Sequence, residues 1–89
     1  MITTKFYVCE AEFPDFYLEE VCKILENELK IKIHRTNEPR NENSNEMLWL
    51  VEWNPDFLKM DEDDFIDFFL NCLAEARTIL YSITFPTSS

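Results

Sequence analysis

The sequence predicts an α+β domain, a single ferredoxin-like βαββαβ sandwich with two helices on one face of a four-stranded antiparallel sheet. Three observations carry this reading. Apolar residues alternate with period two in several segments, and they recur at spacings of three and four in two others. The resulting order along the chain is strand, helix, strand, strand, helix, strand. A length of 89 residues suits one domain, placed at residues 1–86 with a short tail at 87–89.

The first strand is read at Lys5 to Ala11, an aromatic and β-branched run that Glu10 interrupts. Pro14-Asp15 opens a helix whose apolar stripe is Leu18, Val21, Cys22, Leu25 and Leu29. Lys30 to Arg35 alternates strictly, with Ile31 and Ile33 on one face and Lys30, Lys32 and His34 on the other, as in a half-buried strand. Thr36 to Asn45 is rich in Asn and lacks a large apolar residue, which predicts a long, mobile loop.

Glu46 to Trp53 is the strongest strand. Met47, Trp49, Val51 and Trp53 share one face, and Leu48 and Leu50 share the other with Glu52. Apolar residues on both faces predict a central strand or a second contact surface. Asn54-Pro55-Asp56 is a turn, and Asp61 is placed to cap the second helix. Phe65, Phe68, Phe69, Cys72, Leu73 and Ala76 then form the clearest helical stripe in the chain. Thr78 to Phe85 alternates again through Ile79, Tyr81, Ile83 and Phe85, which predicts a fourth strand ended by Pro86. The expected core is Phe65, Phe68, Phe69, Cys72, Leu73, Leu18, Val21, Leu25, Ile31, Ile33, Val51 and Ile83. The chain has no glycine, so Asn and Asp are expected at any left-handed backbone position.

Composition narrows function more than any motif does. Eighteen acids against eight bases give a net charge of −10, in a chain that is 46% hydrophobic. Such a charge repels nucleic acid and anionic membranes and attracts basic partners. The apolar and aromatic content is too high for an acidic disordered tail. Charge is uneven: residues 1–29 carry seven acids and two bases, residues 41–89 ten acids and two bases. Residues 30–40 are the exception, with Lys30, Lys32, Arg35 and Arg40 against one acid. These four are a candidate second docking patch, or edge protection for a strand.

Catalytic constellations are not evident. His34 is the only histidine, on the polar face of its strand, and a general base needs an orienting partner and a pocket. The first strand is expected beside the third and fourth rather than the second, which separates Cys9 from His34. Asp61-Glu62-Asp63-Asp64 lacks the alternation and the glycine of a calcium loop, and helix capping explains it more simply. Zero glycine also argues against phosphate-cradling loops and dinucleotide turns. Trp49 and Trp53 sit where RNA-binding sheets carry aromatics, but Glu46 and Glu52 accompany them, which argues against direct RNA binding. Cys9, Cys22 and Cys72 are odd in number and lie in apolar settings, so free structural thiols and a cytoplasmic location are expected. No membrane span is expected, nor any cofactor or metal.

Leu50-Val51-Glu52-Trp53, the amphipathic helix ending in Ala74-Glu75-Ala76, and the segment Ile79 to Phe85 together resemble the C-terminal half of the barstar family of acidic ribonuclease inhibitors. The resemblance covers less than half of the chain. The nuclease-binding segment of that family has no counterpart here, so no residue role is carried over.

The expectation for function is a small, non-catalytic, acidic inhibitor. It would bind stoichiometrically to a basic protein that handles nucleic acid, in the manner of nuclease-toxin immunity, anti-restriction or anti-CRISPR proteins that mimic nucleic acid. The expected contact is the acidic ridge Asp61, Glu62, Asp63, Asp64, Asp67 and Glu75. The alternative is a regulatory or homodimeric module that pairs through its sheet.

Overall fold

Alternation of buried and exposed side chains puts Thr4, Phe6 and Val8 on one face of strand β1, Ile2–Cys9, in the computed structural model, which describes residues 1–13 and 15–84. A 3-10 helix, Glu10–Glu12, turns the chain into helix α1, Asp15–Leu29. Strands β2, Lys32–Pro39, and β3, Glu46–Trp53, form a hairpin. One helical turn, α2, Pro55–Leu58, leads into the long helix α3, Glu62–Thr84.

The sheet is antiparallel, in the order β1-β3-β2. Its register sets Thr4 beside Val51, Phe6 beside Trp49 and Val8 beside Met47, while Ile33 lies beside Val51 from the other side. One face therefore carries Phe6 and Val8 from β1, Trp49, Val51 and Trp53 from β3 and Ile33 from β2, and both long helices pack on it. Leu18, Val21 and Cys22 come from α1, and Phe65, Phe69 and Leu73 from α3. The centre is a group of five aromatic rings. Trp53 stacks on Phe65 at 4.2 Å and 9°, and Phe69 meets Phe6 at 4.6 Å and Trp49 at 6.4 Å. Each buried indole N–H has a partner: Trp49 Nε1 donates to Glu10 Oε2 at 2.7 Å, and Trp53 Nε1 to Thr4 Oγ1 at 2.9 Å.

The fold is α+β with both helices on one face, but it is not the four-stranded ferredoxin order. The segment expected to be the fourth strand continues α3 as far as Thr84. Alternation at Ile79, Tyr81 and Ile83 is also compatible with a helix, since Leu73, Ala76, Leu80 and Ile83 extend the helical stripe. With no glycine or proline between Leu73 and Thr84 to stop it, adding residues to a formed helix costs little compared with starting a new strand. Phe85 and Pro86 lie outside the described residues, as does the side chain of Ile83, so its expected place in the core does too. The strand–helix–strand likeness to the barstar half accordingly loses its last strand as far as Thr84.

Most of the expected core is buried: Phe65, Phe69, Leu73, Leu18, Val21, Ile31 and Val51. Phe68, Leu25 and Ile33 are partly buried against it, whereas Cys72 is only half-buried and is not part of it. Trp49 and Trp53 are wholly buried and belong at its centre, with Phe6, Val8 and Phe13.

Two turns also differ from expectation. β2 runs on to Pro39, with a break in register between Arg35 and Pro39, so the first four residues of the expected loop are strand. Thr36 makes this possible, its hydroxyl donating to Leu48 O at 2.7 Å and accepting from Glu38 N. The tip is closed by Asn41, which accepts from Asn43 N through its side chain and from Ser44 N through its carbonyl. Among the described residues the left-handed positions belong to lysines, not to Asn or Asp: Lys30 at φ 56 and Lys59 at φ 55. Lys30 ends α1 in a Schellman arrangement, with Ile31 N donating to Glu26 O at 3.2 Å. Lys59 ends α2, whose start is capped by the Asn54 side chain.

Candidate protein-binding surfaces

The acidic ridge begins where local structure demands acids and then exceeds that demand. Asp61 Oδ1 accepts from Asp64 N at 2.9 Å, as an N-cap should. Glu62 Oε2 accepts from the Thr4 hydroxyl at 2.9 Å, joining the helix to β1. Asp63, Asp64 and Asp67 are exposed and make no ion pair among the described residues. Helical periodicity separates them. Asp63 and Asp67 fall on the side of Leu70, toward β1, while Asp64 shares the opposite side with Glu75, three turns further on. Glu75 is exposed and is not part of the N-terminal cluster.

The basic segment does not form one patch. Lys30 occupies the end of α1, and Lys32 lies on the outer face of the sheet opposite Glu52. Arg35 falls on the helix-covered side, where its charge reaches Cys22. Arg40 is paired with Glu46 at 3.1 Å and lies over the Tyr7 ring at 5.1 Å. Sequence proximity put the four together, and strand alternation takes them apart.

The outer face of the sheet carries the second apolar set. Leu48 and Leu50 are half-buried in its central strand, and Tyr7 beside Leu48 is 43% exposed. His34 is opposite Leu50, exposed, with Nε2 at 3.7 Å from Glu52 Oε2. Cys9 pairs with Glu46 near the far end of β3, so it and His34 stand apart with β3 between them.

All three cysteines are free. Burial pushes the Cys22 thiol up to about 11; Arg35 opposes the rise, and Glu26, Glu10 and Glu19 add to it. Burial also raises Cys72, helped by Glu75. Among the described residues no group of three or more His, Cys, Asp or Glu side chains could hold a metal, and no helix is long and apolar enough to cross a membrane.

One cleft, of about 190 Å³, lies between the end of β1, the chain after it and α3. Tyr7, Val8, Phe13, Leu70 and Leu73 give it apolar walls. Its shape is not legible in the sequence, because its walls come from segments about sixty residues apart. Leu70 did carry a signal: it is an apolar residue off the helical stripe and is 44% exposed.

No protein-family model, no curated protein and no solved structure matches this chain.

Proposed function

We propose that this chain is a non-catalytic protein-binding domain that docks on a basic surface of a nucleic-acid-handling protein and blocks it stoichiometrically. One observation carries the reading. Asp61 and Glu62 already meet the structural needs of the start of α3, so Asp63, Asp64 and Asp67 are surplus there and unpaired among the described residues. Like charge at neighbouring helix positions, as at Asp63 and Asp67 four residues apart, costs self-repulsion, which a cationic partner would relieve. Carboxylates spaced along a helix can occupy a cleft that otherwise takes phosphates and speed encounter with it. Nuclease immunity, anti-restriction and anti-CRISPR roles all fall within this class.

The test is capture of partners from the native host, followed by association kinetics. Neutralising Asp63, Asp64 and Asp67 to Asn should slow association about tenfold and flatten its salt dependence. An unchanged on-rate for a captured partner would make the ridge a solvating face.

The outer sheet face supports a second reading, pairing of two copies through the sheet. Tyr7, Leu48 and Leu50 are the observation in its favour. Sedimentation equilibrium separates the two, because that dimer would be nearly indifferent to salt.

A further inference from the structure

We propose that β1 offers a free strand edge that takes up an extended basic segment of the partner as an added strand alongside α3. The proposal rests on the acidic-docking reading above and gives it a main-chain component. The two edges of the sheet are built differently. β2 carries devices that blunt an edge: Lys32, Pro39 and the break in register after Arg35. β1 has neither proline nor bulge. Its register with β3 is unbroken from Ile2 to Cys9, and among the described residues it pairs with no other strand. Its one lysine, Lys5, stands on the outer face opposite Leu50. An unblunted edge eight residues long is a template for main-chain hydrogen bonds, with alternate side chains of the added strand supplying specificity.

The surroundings of this edge select the occupant. At its C-terminal end the cleft walled by Val8, Phe13 and Leu70 has room for an apolar side chain of the incoming strand. Asp67 and Asp63 lie on the same side of α3 as Leu70, one and two turns nearer the Thr4 end respectively. An added strand would therefore meet carboxylates along one stretch and an apolar cleft at the other. That pattern fits alternating basic and apolar residues. A second copy fits poorly, because pairing β1 with β1 would bring both sets of α3 carboxylates together between chains of net charge −10.

The experiment uses the whole chain and three probes. One is an acetylated peptide alternating Lys and Val, roughly as long as β1. The second is the same peptide N-methylated at alternate residues, which keeps the charge and prevents strand pairing. The third alternates Glu and Val. The first should slow amide exchange along Ile2–Cys9 and shift the Leu70 resonances, and the N-methylated form should bind about tenfold more weakly or worse. The Glu peptide should not bind. Asp63→Asn with Asp67→Asn should weaken the first peptide, and Leu70→Ala, an exposed site, should weaken it too. Equal binding of the two Lys peptides would overturn strand addition while leaving the acidic ridge standing. Binding indifferent to Asp63 and Asp67 would overturn the basic occupant, and the ridge with it. Absence of binding, or protection of β1 by self-association alone, would also overturn the proposal.

Discussion

Trp53 and Glu62 are joined through a single hydroxyl: Thr4 Oγ1 accepts from the Trp53 indole N–H at 2.9 Å and donates to Glu62 Oε2 at 2.9 Å. The relay ties the buried end of β3 to β1 and to the first turn of α3. Thr4 is the one buried polar residue among the described side chains, and both its hydrogen-bonding roles are used. Thr4→Val keeps the shape and strands the indole N–H, so it should cost about 1–3 kcal/mol in urea unfolding. Thr4→Ser should recover most of that. Pairing Thr4→Val with Trp53→Phe should cost less than the sum of the two, since no orphan donor remains.

Phe69 is wholly buried and its ring meets Phe6, Trp49 and Phe65. Phe69→Ala should therefore destabilise by about 3–5 kcal/mol, a large share of the stability of a domain this size. Chemical denaturation checks it. A loss below about 1 kcal/mol would mean that the aromatic cluster is not the core.

Lysine is a poor choice for the left-handed conformation held by Lys30 and Lys59, because its Cβ crowds the following carbonyl. Lys30→Gly should remove that strain at a cost in unfolded-chain entropy, for a net gain of about 0.5–1 kcal/mol. The control Glu20→Gly, exposed in the interior of α1, should lose about 1 kcal/mol. Thermal unfolding of both variants reads the difference in sign.

These residues also mark how far the sequence alone could be read. Both helical stripes, the Asp61 cap and the whole of β3 were visible, because each rests on local periodicity or on one side chain and its own backbone. The central place of β3 followed from Leu48 and Leu50 opposite Trp49 and Val51. The fate of residues 78–84 was not legible: Ile79, Tyr81 and Ile83 satisfy a two-residue period while Leu73, Ala76, Leu80 and Ile83 satisfy a helical one, and only context decides. Lys30 and Lys59 at positive φ were hidden for a different reason. Capping geometry, not residue preference, fixed them once no glycine was present to take the role. Of the candidate site, the acid surplus was legible from composition. The separation of Arg35 and Arg40 from Lys32 needed the register, and the β1 edge needed the absence of a fourth strand among the described residues.

Cys22 links burial to pH. Its thiol is pushed from an ordinary 9.0 up to about 11, mainly by burial, with Arg35 offsetting part of the rise and Glu26, Glu10 and Glu19 adding to it. Below pH 9 the thiol is protonated in both folded and unfolded chains, and its contribution to stability is fully present. Above pH 9 the unfolded chain ionises while the folded one does not, so the contribution is lost between about pH 9 and 11. The loss over that window should approach about 2–3 kcal/mol. Comparison with Cys22→Ala under reducing conditions isolates it, because tyrosines, lysines and the other thiols titrate alike in both proteins. The variant should start less stable at pH 8, having lost buried sulfur, and the gap should narrow as pH rises. A constant gap from pH 8 to 11 would mean that the thiol ionises in the folded chain as readily as in the unfolded one. Thiol labelling gives a second reading of the same burial: Cys9 should react first, with Cys22 slower than Cys72.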